Sequence, residues 1–536
     1  MEIEIIENNA IEVLQKMKNI TIAKKDVIEL INTFFKKKTN SNTFNIEIMT
    51  DFIKAFQNCS SVGVCTILTY YVVYSYRNSD YKNIEKIDED RLYHESIVKY
   101  MIKNTGPIYE NANSIFFFLS PNVTTRYSYH NKSNVELFKL IAHLQYNLCP
   151  DLLYEPPLEI KTETTKPIKV GFISDLLLTF NSVAKDRLGI IKSLNDDPDF
   201  EVSIISEKVE KSYFFNKIIS NPINIIVTTN DIIENRKIIA NENFDILVYA
   251  EIGLCAKSRY TAFSRLAPIQ INTWGHSDTS GLPNIDYFVS SKYFNSPEDQ
   301  EHYSEKLVLF NSLGTYYHDI FKTLDISFNN RIDFCKNVSI ATGIDNPTIY
   351  GCLQLHFKIH PTFISILNQI LMMDKKGVIV ILAPLVDTDA EKDFKNNINE
   401  QIKYNKRLYF INEMPFNNFI ETALCCHVIL DYYPFGGFNT TIEMLLNGKI
   451  CITMPGNLIN GKFTKGLYEK MNITEFICTT ENEYVTKAVK YGKNILKRKE
   501  YENLILKNVH KIIEDEESVQ EWKTFLKTII ASHRNK

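Results

Sequence analysis

Apolar positions along the chain change their spacing twice. Up to about residue 155, segments such as A-I-E-V-L-Q-K-M, D-V-I-E-L-I-N-T-F-F and V-E-L-F-K-L-I-A-H-L place apolar residues three and four apart. That spacing predicts helices with one buried face. Ser- and Asn-rich stretches at 38–45 and 120–134 separate them, and no short repeat recurs, so a regular helical-repeat array is not expected. Residues 156–167 read as a polar, proline-bounded linker. Short continuous apolar runs then take over: P-I-K-V-G-F-I-S, E-V-S-I-I-S, I-N-I-I-V-T-T, F-D-I-L-V-Y-A, and the runs at 267–273 and 285–290. Helical or loop segments lie between them, with a helix expected at 188–194, and this alternation predicts a parallel sheet covered on both faces. Residues 313–345 are mixed, as a crossing between domains would be. A second alternating set follows: I-Y-G-C-L-Q, a helix over 361–373, G-V-I-V-I-L-A, R-L-Y-F-I-N and C-C-H-V-I-L. From residue 483 the pattern turns helical and charged. The expected division is a mainly helical accessory domain at 1–155, Rossmann-like domains at 166–315 and 316–515, and a helical tail at 516–536.

The stretch at 430–456, L-D-Y-Y-P-F-G-G-F-N-T-T-I-E-M-L-L-N-G-K-I-C-I-T-M-P-G, carries the densest chemical signal. A strand closed by Asp431 runs into a loop made by Pro434, Gly436 and Gly437. Asn439 or Thr440 is placed to cap a helix with Met444, Leu445 and Leu446 on its apolar side. Gly448 ends that helix and K-I-C-I-T-M reads as the next strand. The start of such a helix binds anions, because its backbone N–H groups are unpaired and its dipole favours negative charge. Thr440 and Thr441 could add hydroxyl donors to a phosphate, whereas Glu443 suits a pair of sugar hydroxyls. The loop is neither a P-loop nor the G-x-G-x-x-G dinucleotide fingerprint. A second polar loop, W-G-H-S-D-T-S-G-L-P at 274–283, lies between two expected strands, where a sheet of this kind carries its ligand.

Composition narrows the class. With 536 residues, 44% apolar and 23% charged, the chain is globular and too long for one core. Its 60 basic and 64 acidic side chains nearly balance, which argues against a broad nucleic-acid footprint. Ten cysteines without paired C-x-x-C spacing read as buried free thiols. The acidic start M-E-I-E-I-I-E is unlike a signal peptide, and the apolar stretch at 62–76 is shorter than a membrane span. An intracellular, soluble location is therefore expected.

Residues 266–294, H-Y-S-E-K-L at 302–307, E-I-G at 251–253, Gln354 with Lys358 before Pro361, G-G-F-N-T-T-I-E-M-L at 436–445 and M-P-G at 454–456 resemble the catalytic region of O-linked N-acetylglucosamine transferases, closest to their SPINDLY-like bacterial relatives. Y-P-F-G at 433–436 is also similar to adhesin N-glucosyltransferases of the HMW1C type. The resemblance implies a GT-B fold and inverting transfer from a UDP-sugar, the donor being a substrate, with neither cofactor nor metal. It implies that Lys358 contacts the diphosphate and that Gln354 lies near the nucleotide end of the donor. Gly436, Gly437, Asn439, Thr440 and Thr441 would form the phosphate turn, and Glu443 would take the ribose hydroxyls. Met414 and Phe419 would lie at the base, Phe419 standing where the family has the histidine that stacks on uracil; Phe416, Phe438 and Asn181 likewise replace a family lysine and two histidines.

Glycosyl transfer builds negative charge on the leaving diphosphate, which Lys358 and the helix start could offset without metal. The acceptor needs orientation and loss of a proton, for which Glu251 and His276 are the candidates. The expected partners are a UDP-sugar and a protein or glycan acceptor, with residues 1–155 packing on the catalytic part or meeting a further protein. Two alternatives stay open: a GT-B enzyme acting on a small molecule or polysaccharide, and a non-catalytic nucleotide-binding scaffold.

Overall fold

The computed structural model describes residues 83–534 except 105, 108, 116–123, 158–166, 325, 327–331 and 387. The helices expected near the N-terminus, the apolar stretch at 62–76 and most of the linker lie outside the described residues.

Among the described residues, strands β1 Ile168–Ile173, β2 Phe200–Ser206, β3 Asn224–Val227, β4 Ile246–Tyr249, β5 Ile269–Asn272, β6 Tyr287–Ser291 and β7 Lys306–Phe310 form one sheet in the order β3-β2-β1-β4-β5-β6-β7. A second sheet, β8 Thr348–Cys352, β9 Gly377–Ala383, β10 Leu408–Asn412, β11 Val428–Leu430 and β12 Cys451–Ile452, runs β10-β9-β8-β11-β12. Every pairing is parallel, in register Val170 with Val202 in the first sheet and Ile349 with Val378 in the second. Both orders reverse beside the first strand, which is the Rossmann pattern. The crevice at that reversal point opens beyond the carboxyl ends of the strands. The two units, preceded by helices, make the GT-B arrangement.

The helices that matter here are α1 Ile84–Asn104, α2 Val135–Leu148, α3 Ser182–Asn195, α4 Pro361–Met373, α5 Phe416–Cys425, α6 Asn439–Leu446 and α7 Glu516–Arg534. Core strands such as β4 and β9 are buried along their whole length, as strands covered on both faces must be. One apolar core runs through both units. A second joins Leu137 and Phe138 of α2 to Leu247, Tyr249 and Phe263 on the other face of the first sheet. Helix α7 crosses back to that unit, where the buried Trp522 donates its indole N–H to the Gly314 carbonyl at 2.9 Å.

The cap expected at Asn439 or Thr440 is not made. Both lie inside the first turn of α6, and Phe438 precedes it (φ −115°, ψ −73°) with no side-chain cap bond. The Phe438 ring instead joins Trp274, Phe294 and Phe463 in a cluster of edge-on and tilted contacts at 5.2–6.1 Å.

Candidate functional site

The loops after β8 and β11 flank the reversal point of the second sheet and meet in a hydrogen-bonded chain. Lys358 donates to Gln354 Oε1 at 3.2 Å, and Gln354 donates to Asp431 Oδ1 at 2.8 Å. Asp431 also accepts from the Gly437 N–H and the Thr453 hydroxyl, each at 2.8 Å. Burial pushes the Asp431 carboxyl upward against these donors. The glycines are required by close approach. A Cβ on Gly436 would come to 2.7 Å from Asp431 Oδ2, and one on Gly437 to 2.8 Å from Thr441 Oγ1 and 3.2 Å from Gln354 Nε2. The Lys358 ammonium lies 4.2 Å from the Phe435 ring centroid. Burial pushes it down to about 8, with Asp431 pulling it back.

Helix α6 begins at this turn. Thr440 is half-buried and lines a small cavity with Gln354, Asp431 and Met444. Thr441 is turned inward, donating to the Gly437 carbonyl at 3.1 Å and meeting the Thr464 hydroxyl at 3.0 Å. Asn439 Nδ2 reaches Asp186 Oδ2 at 3.5 Å. Glu443 forms a buried ion pair with Lys185 at 2.6 Å and accepts from the Tyr317 hydroxyl at 3.3 Å. The Lys185 ammonium is held between the rings of Phe180 and Phe416, 4.4 and 4.3 Å away. The carboxylate assigned to ribose is thus engaged across the two units. Met414 and Phe419 are half-buried against the core, and Met414 Sδ accepts from the Thr422 hydroxyl at 3.8 Å.

The first unit faces this turn with the loop after β5. His276 is 9% exposed and packs so close to Gly253 that a Cβ there would lie 2.5 Å from its own. Among the described residues its Nε2 has no hydrogen-bond partner. Burial pushes the imidazole down to about 4, and the Lys358 charge pushes it the same way, so the two groups feel each other across the gap. The loop is braced from behind by the helical region. Asp278 accepts from Ser128 and Asn134 at 2.6 Å each, and burial pushes its carboxyl up to about 6. The same segment reaches the second unit, where the Tyr129 ring lies 4.8 Å from Phe435 and 5.3 Å from Phe357.

Glu251 is fully buried and committed to its own unit. It accepts from Ser174 Oγ at 2.6 Å, the Asp175 N–H at 2.9 Å and Ser258 Oγ at 3.2 Å, and burial raises its carboxyl. With Asp175 and Cys255 it forms a group whose ligand atoms lie within 4.8 Å of one another. That group does not fit a cation. Asp175 already accepts from Ser206 and the Glu207 N–H, and the Lys257 ammonium stands 3.3 Å from its other oxygen. Asn181 caps α3, accepting from the N–H groups of Val183 and Ala184 at 2.9 and 3.2 Å.

Lys358 and Gln354 are hydrogen-bonded beside the α6 start, and His276 is near enough to feel the Lys358 charge, whereas Glu251 is engaged within its own unit. Sequence reasoning misses Lys185, Asp186, Arg187 and Tyr129, and reads Trp274 only as the first residue of the 274–283 loop. The signal for the first three is K-D-R, consecutive charges inside a helix whose flanking Val183, Ala184 and Leu188 are all core residues.

Residues 342–515 match the model of glycosyl transferase family 41. A barley (Hordeum vulgare) protein described as a probable UDP-N-acetylglucosamine–peptide N-acetylglucosaminyltransferase SPINDLY is 23% identical over 260 residues, 48% of this chain and 26% of that protein. The UDP-glucose:protein N-beta-glucosyltransferase of Actinobacillus pleuropneumoniae serotype 5b is 22% identical over 282 residues, 51% of this chain and 42% of its own length. The chain thus spans well under two thirds of either relative, and the relationship is distant. A mutant O-GlcNAc transferase from Thermobaculum terrenum has a similar fold, with a TM-score of 0.62 and 15% identity over 96% of this chain and 99% of that one.

Proposed function

We propose that this chain is an inverting glycosyltransferase that moves a sugar from a UDP-sugar to a hydroxyl or amide of a protein, or to a glycan. The observation that carries this reading is the meeting of the Lys358–Gln354–Asp431 chain with the start of α6, opposite a neutral histidine of the other unit. As the bond from the anomeric carbon to the diphosphate breaks, negative charge grows on the leaving phosphate. Lys358 and the free N–H groups opening α6 offset that charge from fixed positions, with no reorganisation needed and no metal required. Gln354 holds the lysine in place through its carbonyl. His276, neutral and with an unpartnered Nε2, accepts a hydrogen bond from the acceptor group as it attacks. Glu251 serves as a positioning residue that ties the loops after β1 and β4 together. Met414 and Phe419 flank the base. Glu443 reaches the ribose by sharing or releasing Lys185.

The two relatives, one described as probably acting with UDP-N-acetylglucosamine and one named for UDP-glucose, support a UDP-hexose donor. A second reading, a nucleotide-binding scaffold without turnover, is favoured by the engagement of Glu443 with Lys185. Incubating the chain with a panel of UDP-sugars and measuring released UDP separates them. Release from at least one UDP-hexose is expected of the transferase; binding without release from any donor or acceptor mixture would leave the scaffold.

A further inference from the structure

Three consecutive charged residues of α3 have different partners: Lys185 and Asp186 meet the second unit, whereas the contacts of Arg187 lie in its own. Lys185 is paired with Glu443, and Asp186 receives Asn439. Arg187 is 3% exposed, donates through Nε to the Thr273 hydroxyl at 3.3 Å, and lies over the Trp274 ring at 4.7 Å. Among the described residues neither Nη1 nor Nη2 has a hydrogen-bond partner. The Asp186 carboxylate is 3.8 Å from Nε, an ion pair too long for a hydrogen bond, and it leaves both Nη groups unmet. Trp274 Nε1 and Asn439 Oδ1 are likewise unpartnered among the described residues. Trp274 packs on Phe438, the residue before α6, so its ring lies between the guanidinium and the residue that precedes that helix.

A buried guanidinium with four unmet N–H donors is costly unless an anion meets it. A fork of parallel N–H groups matches the oxygens of a phosphate better than a sugar hydroxyl does. We propose that Arg187 is the anion-binding arm that the first unit contributes to the gap, and that it holds the terminal phosphate of the bound nucleoside diphosphate. Lys358 grips that phosphate from the second unit, so the ligand is clamped across both. This inference rests on the UDP-sugar reading and adds a residue and a cross-unit role to it.

Titration calorimetry of the full chain with UDP and with uridine tests it, using the wild type, Arg187→Met and Arg187→Lys. Loss of a charged hydrogen-bonded pair predicts UDP affinity about 10- to 100-fold weaker in Arg187→Met. Uridine affinity should stay within about twofold of wild type, and Arg187→Lys should recover part of the loss because it keeps the charge without the fork. Unchanged UDP affinity in Arg187→Met overturns the inference, as does an equal weakening of UDP and uridine, which would mean a structural role. Should Arg187→Met not fold, Arg187→Lys alone decides by the same comparison. A wild type that binds no UDP overturns the donor reading itself, and this inference with it.

Discussion

Lys358 and His276 set the protonation window of the gap. Both are pushed down by burial, the lysine to about 8 and the histidine to about 4. A neutral imidazole and a charged ammonium coexist between these values, so UDP-dependent turnover should be flat from about pH 5 to 7 and fall as pH rises through 8. A limb near the ordinary histidine value would contradict the burial of His276. The sign for stability is opposite to that for binding. The Lys358 ammonium loses its proton near 8 when folded and near 10.5 when unfolded, so the unfolded state binds more protons between those values. Its contribution to stability therefore rises with pH through that interval and is lowest below pH 8. Replacing Lys358 with Ala should lower turnover by about 10²-fold or more, read as kcat on the donor found by the UDP-release assay. Among the described residues Cys335 is partly exposed, as is Cys255, but a hydrogen bond with Cys425 pulls it down to about 7, whereas burial raises Cys255. At pH 7.5 iodoacetamide should modify Cys335 ahead of the buried Cys352, Cys426, Cys451 and Cys478, as peptide mass mapping would show.

At the scale of elements, the site depends on two turns held at close range. Gly437→Ala forces a Cβ against Thr441 and Gln354, and overpacking of this kind costs about 1–3 kcal/mol. The expected outcome is a lower denaturant midpoint together with weakened UDP binding. Asp278→Ala removes the acceptor that Ser128 and Asn134 share, leaving buried donors unmet at about 1–3 kcal/mol. It should also loosen the loop carrying His276, and turnover should fall although Asp278 touches no ligand in this account. Much of this scale is legible in the sequence. Most strands of both sheets sit in short apolar runs, and the helix over 361–373 starts at a proline and is read at its observed ends. Helix Asp389–Gln401 escapes because D-A-E-K-D-F-K-N-N-I-N-E-Q holds few apolar residues, and β7 because its run K-L-V-L-F is half-buried at the sheet edge. The missing cap at Asn439 has a tertiary cause: an aromatic cluster from both units fixes Phe438 at the position a capping residue would hold.

For the whole molecule, the decisive contacts cross between units, and these are the ones a linear pattern conceals. Gln354, Lys358 and the glycine turn are recognisable because each sits in a local motif. Lys185, Arg187 and Trp274 gain their meaning only when α3 is laid against α6. The Lys185–Glu443 pair is the clearest such contact, since both partners are buried and Tyr317 adds a third group. Lys185→Met leaves a buried carboxylate unpaired and should cost about 3–5 kcal/mol in equilibrium unfolding; a change below about 1 kcal/mol would show that the pair is not formed in solution. Among the described residues no helix is long and apolar enough to cross a membrane. The described part of the helical region is engaged with both sheet-bearing units through Ser128, Tyr129 and Asn134, so it braces the candidate site from behind. The central claim is that the gap binds a uridine diphosphate with countercharge drawn from the protein. Calorimetric titration of the wild-type chain with UDP in excess chelator tests it most directly. Saturable 1:1 binding that added magnesium does not strengthen is the expected result; no binding with or without magnesium, or binding that appears only when the metal is restored, would contradict it.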